Sequence, residues 1–297
     1  MGEQLMKWAD FSQLIKFRLT FLVVFSASIS FLIGSKVNEQ TLNQPINWAN
    51  WGMLIAGGFL VTAAANIFNE IIEKDLDKLM KRTMNRPIAA GKMTTGQALI
   101  IGMFMGIFGT YLLGKLNLTT GYLSVFSILL YAFLYTPLKR VSAIPAVFTG
   151  AIPGALPTLI GYVAAHPQID KIALVLFSIQ FIWQFTHFWA IAWVLDDDYK
   201  LAGFRLLPTG KRDRVSAIIP FIFAVVLLPV SLLPTYMGFG GYIIGGVSLV
   251  MSLIFMYQAF NLMRTLEIKA AKQLMYGSFF YLPIVQLVLL FDFIGKK

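Results

Sequence analysis

Asn69, Glu73 and Asp77 stand four residues apart in the stretch NEIIEKDLDKLMKRTMNRP. That interval is slightly more than one helical turn, so a helix sets an amide and two carboxylates along one stripe while Asp75 points elsewhere. Hard oxygen donors at this spacing suit Mg²⁺, which keeps several waters and completes its shell with substrate phosphates. Cations follow at once, at Lys78, Lys81, Arg82 and Arg86, so metal-binding acids stand beside phosphate-binding bases. A long apolar run ends where they begin, which makes lipid diphosphate chemistry the economical reading. A plain solvated helix end would carry i,i+4 ion pairs but has no need of an asparagine aligned with both acids.

A second charged stretch reads WQFTHFWAIAWVLDDDYKLAGFRLLPTGKRDR. Asp198 follows His187 by eleven residues, about three turns, which on a continuous helix puts both on one stripe with Gln180 and Gln184 at the face turned from lipid. Asp198 is the expected partner of Glu73 and Asp77, holding the same metal or a second one. His187 lies inside an apolar segment, where an ionisable residue is costly and counts as a functional candidate by default. His166 falls on the opposite side and is assigned no role.

The elements that position these residues are transmembrane helices. The chain is 58% hydrophobic and 13% charged, with several runs near the roughly 20 residues that cross a ~30 Å hydrocarbon core. Nine candidate spans are read at 19–34, 52–72, 98–113, 118–135, 143–165, 172–195, 217–237, 241–263 and 274–291. The expected fold is an all-α polytopic bundle forming one domain over residues 1–297. Asp77 and Asp198 are 121 positions apart, so a four-plus-four pseudo-repeat with one extra helix would bring both charged loops to one face. Gly102–Gly106 and Gly241–Gly245 read as helix packing, and Pro153 and Pro157 as bends in the fifth span.

Of the 24 basic residues, only Lys36, Lys115, Lys171, Lys296 and Lys297 fall on the side away from the N-terminus. Positive loops stay inside, so the N-terminus and both charged loops are expected in the cytoplasm and the C-terminus outside. The net charge of +10 is then topology, membrane lipid headgroups and an anionic substrate, and needs no nucleic acid. Zero cysteines exclude disulfides and thiolate metal sites. The first apolar run lacks a convincing cleavage site and reads as a retained helix, and a bacterial plasma membrane is the expected location.

With N-x3-E-x3-D, the intervening Asp75, Met80 and R-T-x2-R-P, residues 69–87 resemble the first signature of the UbiA-type intramembrane prenyltransferases. W-Q-x2-H-F-W-A-I-A, then D-Y-x2-A-G and L-L-P, resembles the haem-farnesylating branch of that family; K-x-R-L-T at 16–20 and Y-T-P-L-K-R at 135–140 also match. The likeness runs essentially end to end. Glu73 stands where the family carries Asp, which lengthens the arm; Phe17 and Thr186 replace prolines, Asp196 replaces a base, and Ala202 replaces the second acid of the quinone-pathway relatives.

The resemblance implies transfer of a farnesyl group from farnesyl diphosphate to a vinyl group of haem b, with water added, giving haem O and diphosphate. It implies Mg²⁺ held by Asn69, Glu73, Asp77 and Asp198, diphosphate contacts from Lys74, Arg82, Arg86, Lys139 and Arg140, and a haem acceptor at His187, Trp183 and Gln184. Haem is then substrate rather than resident cofactor, and a downstream haem-modifying enzyme is a candidate partner. A quinone or aromatic-acid prenyltransferase would use the same metal site with another acceptor. A transporter is the non-enzyme alternative, and its polar residues should cluster near the midplane. The chain has no native cysteine, so single-cysteine labelling reads its orientation directly. Lys211→Cys should react only with a thiol reagent that reaches the cytoplasm and Asn43→Cys with an impermeant one from outside; the reverse pattern overturns the assignment.

Overall fold

The computed structural model describes residues 8–294; Lys7, Lys296 and Lys297, counted toward orientation, lie outside the described residues. A short helix, α1 (Trp8–Leu14), precedes α2 (Phe17–Leu42), α3 (Trp48–Asp77) and α4 (Thr95–Leu116). Next come α5 (Leu118–Ile128), a π-helical stretch Leu129–Tyr135, α6 (Thr136–Leu138), α7 (Ala143–Ala165) and α8 (Lys171–Val194). The chain continues through α9 (Asp196–Leu201), α10 (Arg214–Tyr236), α11 (Tyr242–Thr265) and α12 (Ile268–Phe291). Nine helices among the described residues are long and apolar enough to cross a membrane, with α5, the π stretch and α6 acting as one span. The all-α bundle expected from hydropathy is the observed fold.

Several spans are longer than their apolar runs, because polar end residues find partners instead of ending the helix. Thr94 and Gln97 form a reciprocal cap that starts α4 three residues before the apolar run. Asp170 accepts from the Ile172 and Ala173 N–H groups at the start of α8, and Asp213 accepts from Ser216 N–H at 2.8 Å to start α10. Past Gly34, α2 carries Lys36 and Asn38 onward by donating to the Leu290 and Ala165 carbonyls at 2.6 and 2.7 Å.

The helices pack as a closed ring: α3 lies along α4, α2 along α7, α10 along α8 and α11, and α12 closes against α8, α11 and α2. Small residues set the closest approaches. A Cβ on Gly161 would overlap the Ala27 carbonyl, and one on Gly109 would sit 2.9 Å from Val61 N, so α2–α7 and α3–α4 meet nearly backbone to backbone. Midway through the bundle, Ser26 donates to Gln286 Oε1, Gln286 donates to Gln180 Oε1, and Gln180 donates to the Gly154 carbonyl. That chain ties four helices together with every member partnered, which is what makes buried amides tolerable in lipid.

One local expectation needs correction. His187 and Asp198 do not ride one uninterrupted helix: α8 ends at Val194, Leu195 turns out of helical geometry at φ −100°, ψ 9°, and α9 begins at Asp196. Past that break the three consecutive carboxylates form the first turn of α9, where a helix favours acids. Asp196 pairs with Lys200 at 2.6 Å, Asp197 with Arg212 at 3.1 Å, and Asp198 with the loop that follows α3.

Candidate active site

The last three turns of α3 turn five polar side chains inward: Asn66, Asn69, Glu70, Glu73 and Asp77 are all buried. Each survives there because a partner from another segment reaches it. Asn69 donates to Glu73 Oε2 at 2.9 Å and to Thr136 Oγ1 at 3.0 Å, while its own Oδ1 accepts from Lys16 Nζ at 2.6 Å. Glu73 Oε1 is 2.5 Å from Lys139 Nζ. Both Asp77 oxygens accept from Arg86 Nη1, at 2.9 and 2.8 Å. Glu70, fully buried, accepts from the Ile88 N–H at 3.2 Å through one oxygen and leaves the other without a partner.

Three devices bring the bases in. Lys16 sits in the left-handed region (φ 48°, ψ 55°) at the start of α2, a costly conformation for a side-chain-bearing residue, and it lies beside Asn69. Half-buried there, its ammonium is pulled down to about 7 by desolvation first and by Arg86 second. The π stretch Leu129–Tyr135 widens the helix just before α6, as such stretches do at functional sites. It delivers Thr136 to Asn69 and Lys139 to Glu73. Lys139 also lies over the Tyr135 and Phe204 rings, at 5.0 and 5.7 Å. Arg86 rides the loop after α3, which is pinned by Thr83 donating to the Asp77 carbonyl, by Glu70, and by Lys92 pairing with Asp10 of α1 at 2.6 Å.

The result is a formally balanced cluster of three acids (Glu70, Glu73, Asp77) and three bases (Lys16, Arg86, Lys139). Asp198 brings the second charged loop to the same end of the bundle. Its two oxygens accept from the Lys81 and Arg82 N–H groups at 2.8 and 3.4 Å, and Arg82 lies 5.5 Å from the Tyr199 ring centre. The four candidate metal ligands are thus divided: Asn69, Glu73 and Asp77 form one stripe and Asp198 binds the facing loop's backbone. Among the described residues no three carboxylates or histidines converge on one cation position.

Arg86 and Lys139 meet the acids, whereas Arg140 donates to the Ile72 carbonyl at 3.1 Å on the other side of α3, and half-buried Lys74 neighbours exposed Asp75. Deeper in the bundle, Trp183 donates to the Ser278 carbonyl at 3.2 Å, His187 Nδ1 lies 2.7 Å from Ser278 Oγ, and Gln184 donates to the Ala151 carbonyl at 2.6 Å. Two cavities lie apart from this cluster. One of about 560 Å³ lies between α2 and α3 at the far end, around Asn38 and Asn47. A lipid-facing cleft of about 600 Å³ lies between α3, α4 and α5, around Phe68, Gly106 and Phe133.

Sequence reasoning did not single out Lys16, Glu70 or Thr136 as site residues. Lys16 opens the K-x-R-L-T stretch and Glu70 adjoins Asn69, but neither shares the four-residue spacing that marked the stripe.

Among the described residues, nine helices long and apolar enough to cross a membrane carry paired buried acids and bases at one end of the bundle. The chain belongs to the UbiA prenyltransferase family, whose model matches residues 40–283. It is 43% identical over 282 residues to the protoheme IX farnesyltransferase of Cytophaga hutchinsonii, covering 94% of this chain and 96% of that one. Identity to the protoheme IX farnesyltransferase of Flavobacterium johnsoniae is 39% over 287 residues, covering 95% and 94%. Among solved structures, a digeranylgeranylglyceryl phosphate synthase shares the fold with a TM-score of 0.78 at 18% identity, covering 96% of this chain and 97% of that one. A UbiA homologue from Archaeoglobus fulgidus bound to GPP and Mg²⁺ does so with a TM-score of 0.69 at 11% identity, covering 94% and 99%.

Glu73→Gln and Asp77→Asn should each lower turnover by about 100-fold or more in protein that keeps its helical circular dichroism. Glu73→Gln also strands Lys139, at a cost of roughly 3 kcal/mol. Adding Lys139→Met should recover thermal stability but not turnover; recovery of both would make the pair merely structural.

Proposed function

We propose that this chain transfers the farnesyl group of farnesyl diphosphate to a vinyl group of haem b, with addition of water, giving haem O and diphosphate. The donor C–O bond breaks and diphosphate leaves with the electron pair. The vinyl π electrons form the new C–C bond to the allylic cation, and water captures the carbocation left beside the porphyrin ring and loses a proton. End-to-end similarity to proteins named protoheme IX farnesyltransferase supports the acceptor, as does Ala202 in place of a second acid. The observation that carries the donor chemistry is the balanced acid–base cluster at the end of α3.

The donor types suit a hard dication: an amide oxygen and carboxylates, which cationic side chains grip in this structure. Asn69, Glu73, Asp77 and Asp198 would hold Mg²⁺. When bound it neutralises diphosphate charge and makes it a better leaving group. Arg86 and Lys139 exchange their carboxylates for diphosphate oxygens, Arg86 in the forked geometry that suits them. Lys16 stands beside them, and Arg82, Lys74 and Arg140 add positive charge around the entrance. Lipid-facing walls keep water from the cation until the C–C bond has formed. His187, Trp183 and Gln184 hold the porphyrin. In this reading the charged loops face the cytoplasm of a bacterial plasma membrane, and haem O passes to a haem-modifying enzyme for haem-copper oxidase assembly.

Membranes carrying the protein, given farnesyl diphosphate, Mg²⁺ and either haem b or 4-hydroxybenzoate, should yield a farnesylated hydroxyethyl haem detectable by mass. Prenylated benzoate instead would retire the haem acceptor.

A further inference from the structure

His187 and Trp183 share one support on another helix, Ser278 of α12. The Trp183 indole donates to the Ser278 carbonyl at 3.2 Å, the His187 ring stacks on Trp183 with centroids 4.5 Å apart and planes 18° apart, and His187 Nδ1 lies 2.7 Å from Ser278 Oγ.

A serine hydroxyl has a single proton, and here it is spent: Ser278 Oγ donates to the Met275 carbonyl at 2.5 Å. On its other side the hydroxyl can only accept, so the proton in the contact with His187 belongs to Nδ1. A neutral imidazole protonated at Nδ1 carries its free lone pair on Nε2. Among the described residues Nε2 makes no hydrogen bond, and His187 is half-buried rather than sealed.

Depth puts this nitrogen at a level along the bundle similar to that of Asn69. His187 is seven residues before the end of α8, about 10 Å, and Asn69 is eight before the end of α3, about 12 Å. Those two ends meet through Asp198 and the Lys81 amide.

We infer that Ser278 is a positioning residue that fixes the Nδ1–H tautomer of His187 and presents the Nε2 lone pair as an axial ligand to the iron of the porphyrin acceptor. Iron-ligating histidines gain orientation and basicity when their other nitrogen donates to a fixed acceptor. The inference rests on the reading that haem is the acceptor. A purely structural bond would join α8 to α12 equally well, but it would not care whether the porphyrin contains iron.

The test titrates detergent-solubilised protein with ferric haem and, in parallel, with metal-free protoporphyrin IX, reading affinity and the Soret band. Ser278→Ala should weaken ferric haem binding about 10- to 100-fold and shift the Soret band, leave protoporphyrin affinity unchanged, and be rescued by Ser278→Thr, which keeps the hydroxyl. His187→Ala should lose the nitrogen-ligated spectrum and regain it with added imidazole. If Ser278→Ala matches wild type while His187→Ala loses ligation, the tautomer role is overturned and the haem reading stands. Equal loss of both porphyrins in Ser278→Ala makes the bond structural and overturns the role. Failure of wild type to bind either porphyrin removes the acceptor reading together with this one.

Discussion

Burying charge in a membrane protein is tolerable only where the charges cancel, and the end of α3 is organised by that constraint. Glu73 and Asp77 sit where water cannot solvate them, and each is held by a base from outside α3, Lys139 and Arg86. Lys16 adds a third base through Asn69, and Glu70 a third acid. Isolated, any of these groups would cost several kcal/mol. Together they form a neutral cluster that is unsaturated in one sense: every base can leave its acid if an anion arrives, provided a cation arrives for the acid.

Much of the surrounding structure holds that cluster in place. The π stretch stands just before Thr136 and Lys139, which meet Asn69 and Glu73, and the left-handed Lys16, just before α2, meets Asn69. The loop after α3 is fastened at Glu70, at Asp10 and at Asp198, which keeps Arg86, Arg82 and Lys81 at the lip. Asp198 therefore joins the two charged loops through backbone N–H groups, and a carboxylate that bridges two loops can respond to what lies between them.

The stripe itself was legible because helix periodicity is written directly into residue spacing, and hydropathy located nine spans because lipid tolerates little else. What stayed hidden depends on groups that spacing does not register. The starts of α4 and α12 are polar turns outside the apolar run, so hydropathy truncates them. Lys16 becomes a site residue only through one unusual backbone conformation. Glu70 points about 100° from the stripe and is recruited by a backbone N–H from residue 88. The break at Leu195 carries neither proline nor glycine, and no local pattern announces it. The Ser278 support of His187 joins residues 91 positions apart.

The central claim is that the buried acids and bases accept a dication and a diphosphate together and resist either alone. Isothermal titration of the detergent-solubilised protein with pyrophosphate, in the presence and absence of Mg²⁺, measures that coupling directly. The account predicts that Mg²⁺ tightens pyrophosphate binding by roughly 10-fold or more and that pyrophosphate tightens Mg²⁺ binding by the same factor. Pyrophosphate binding of equal strength with and without the metal would contradict it.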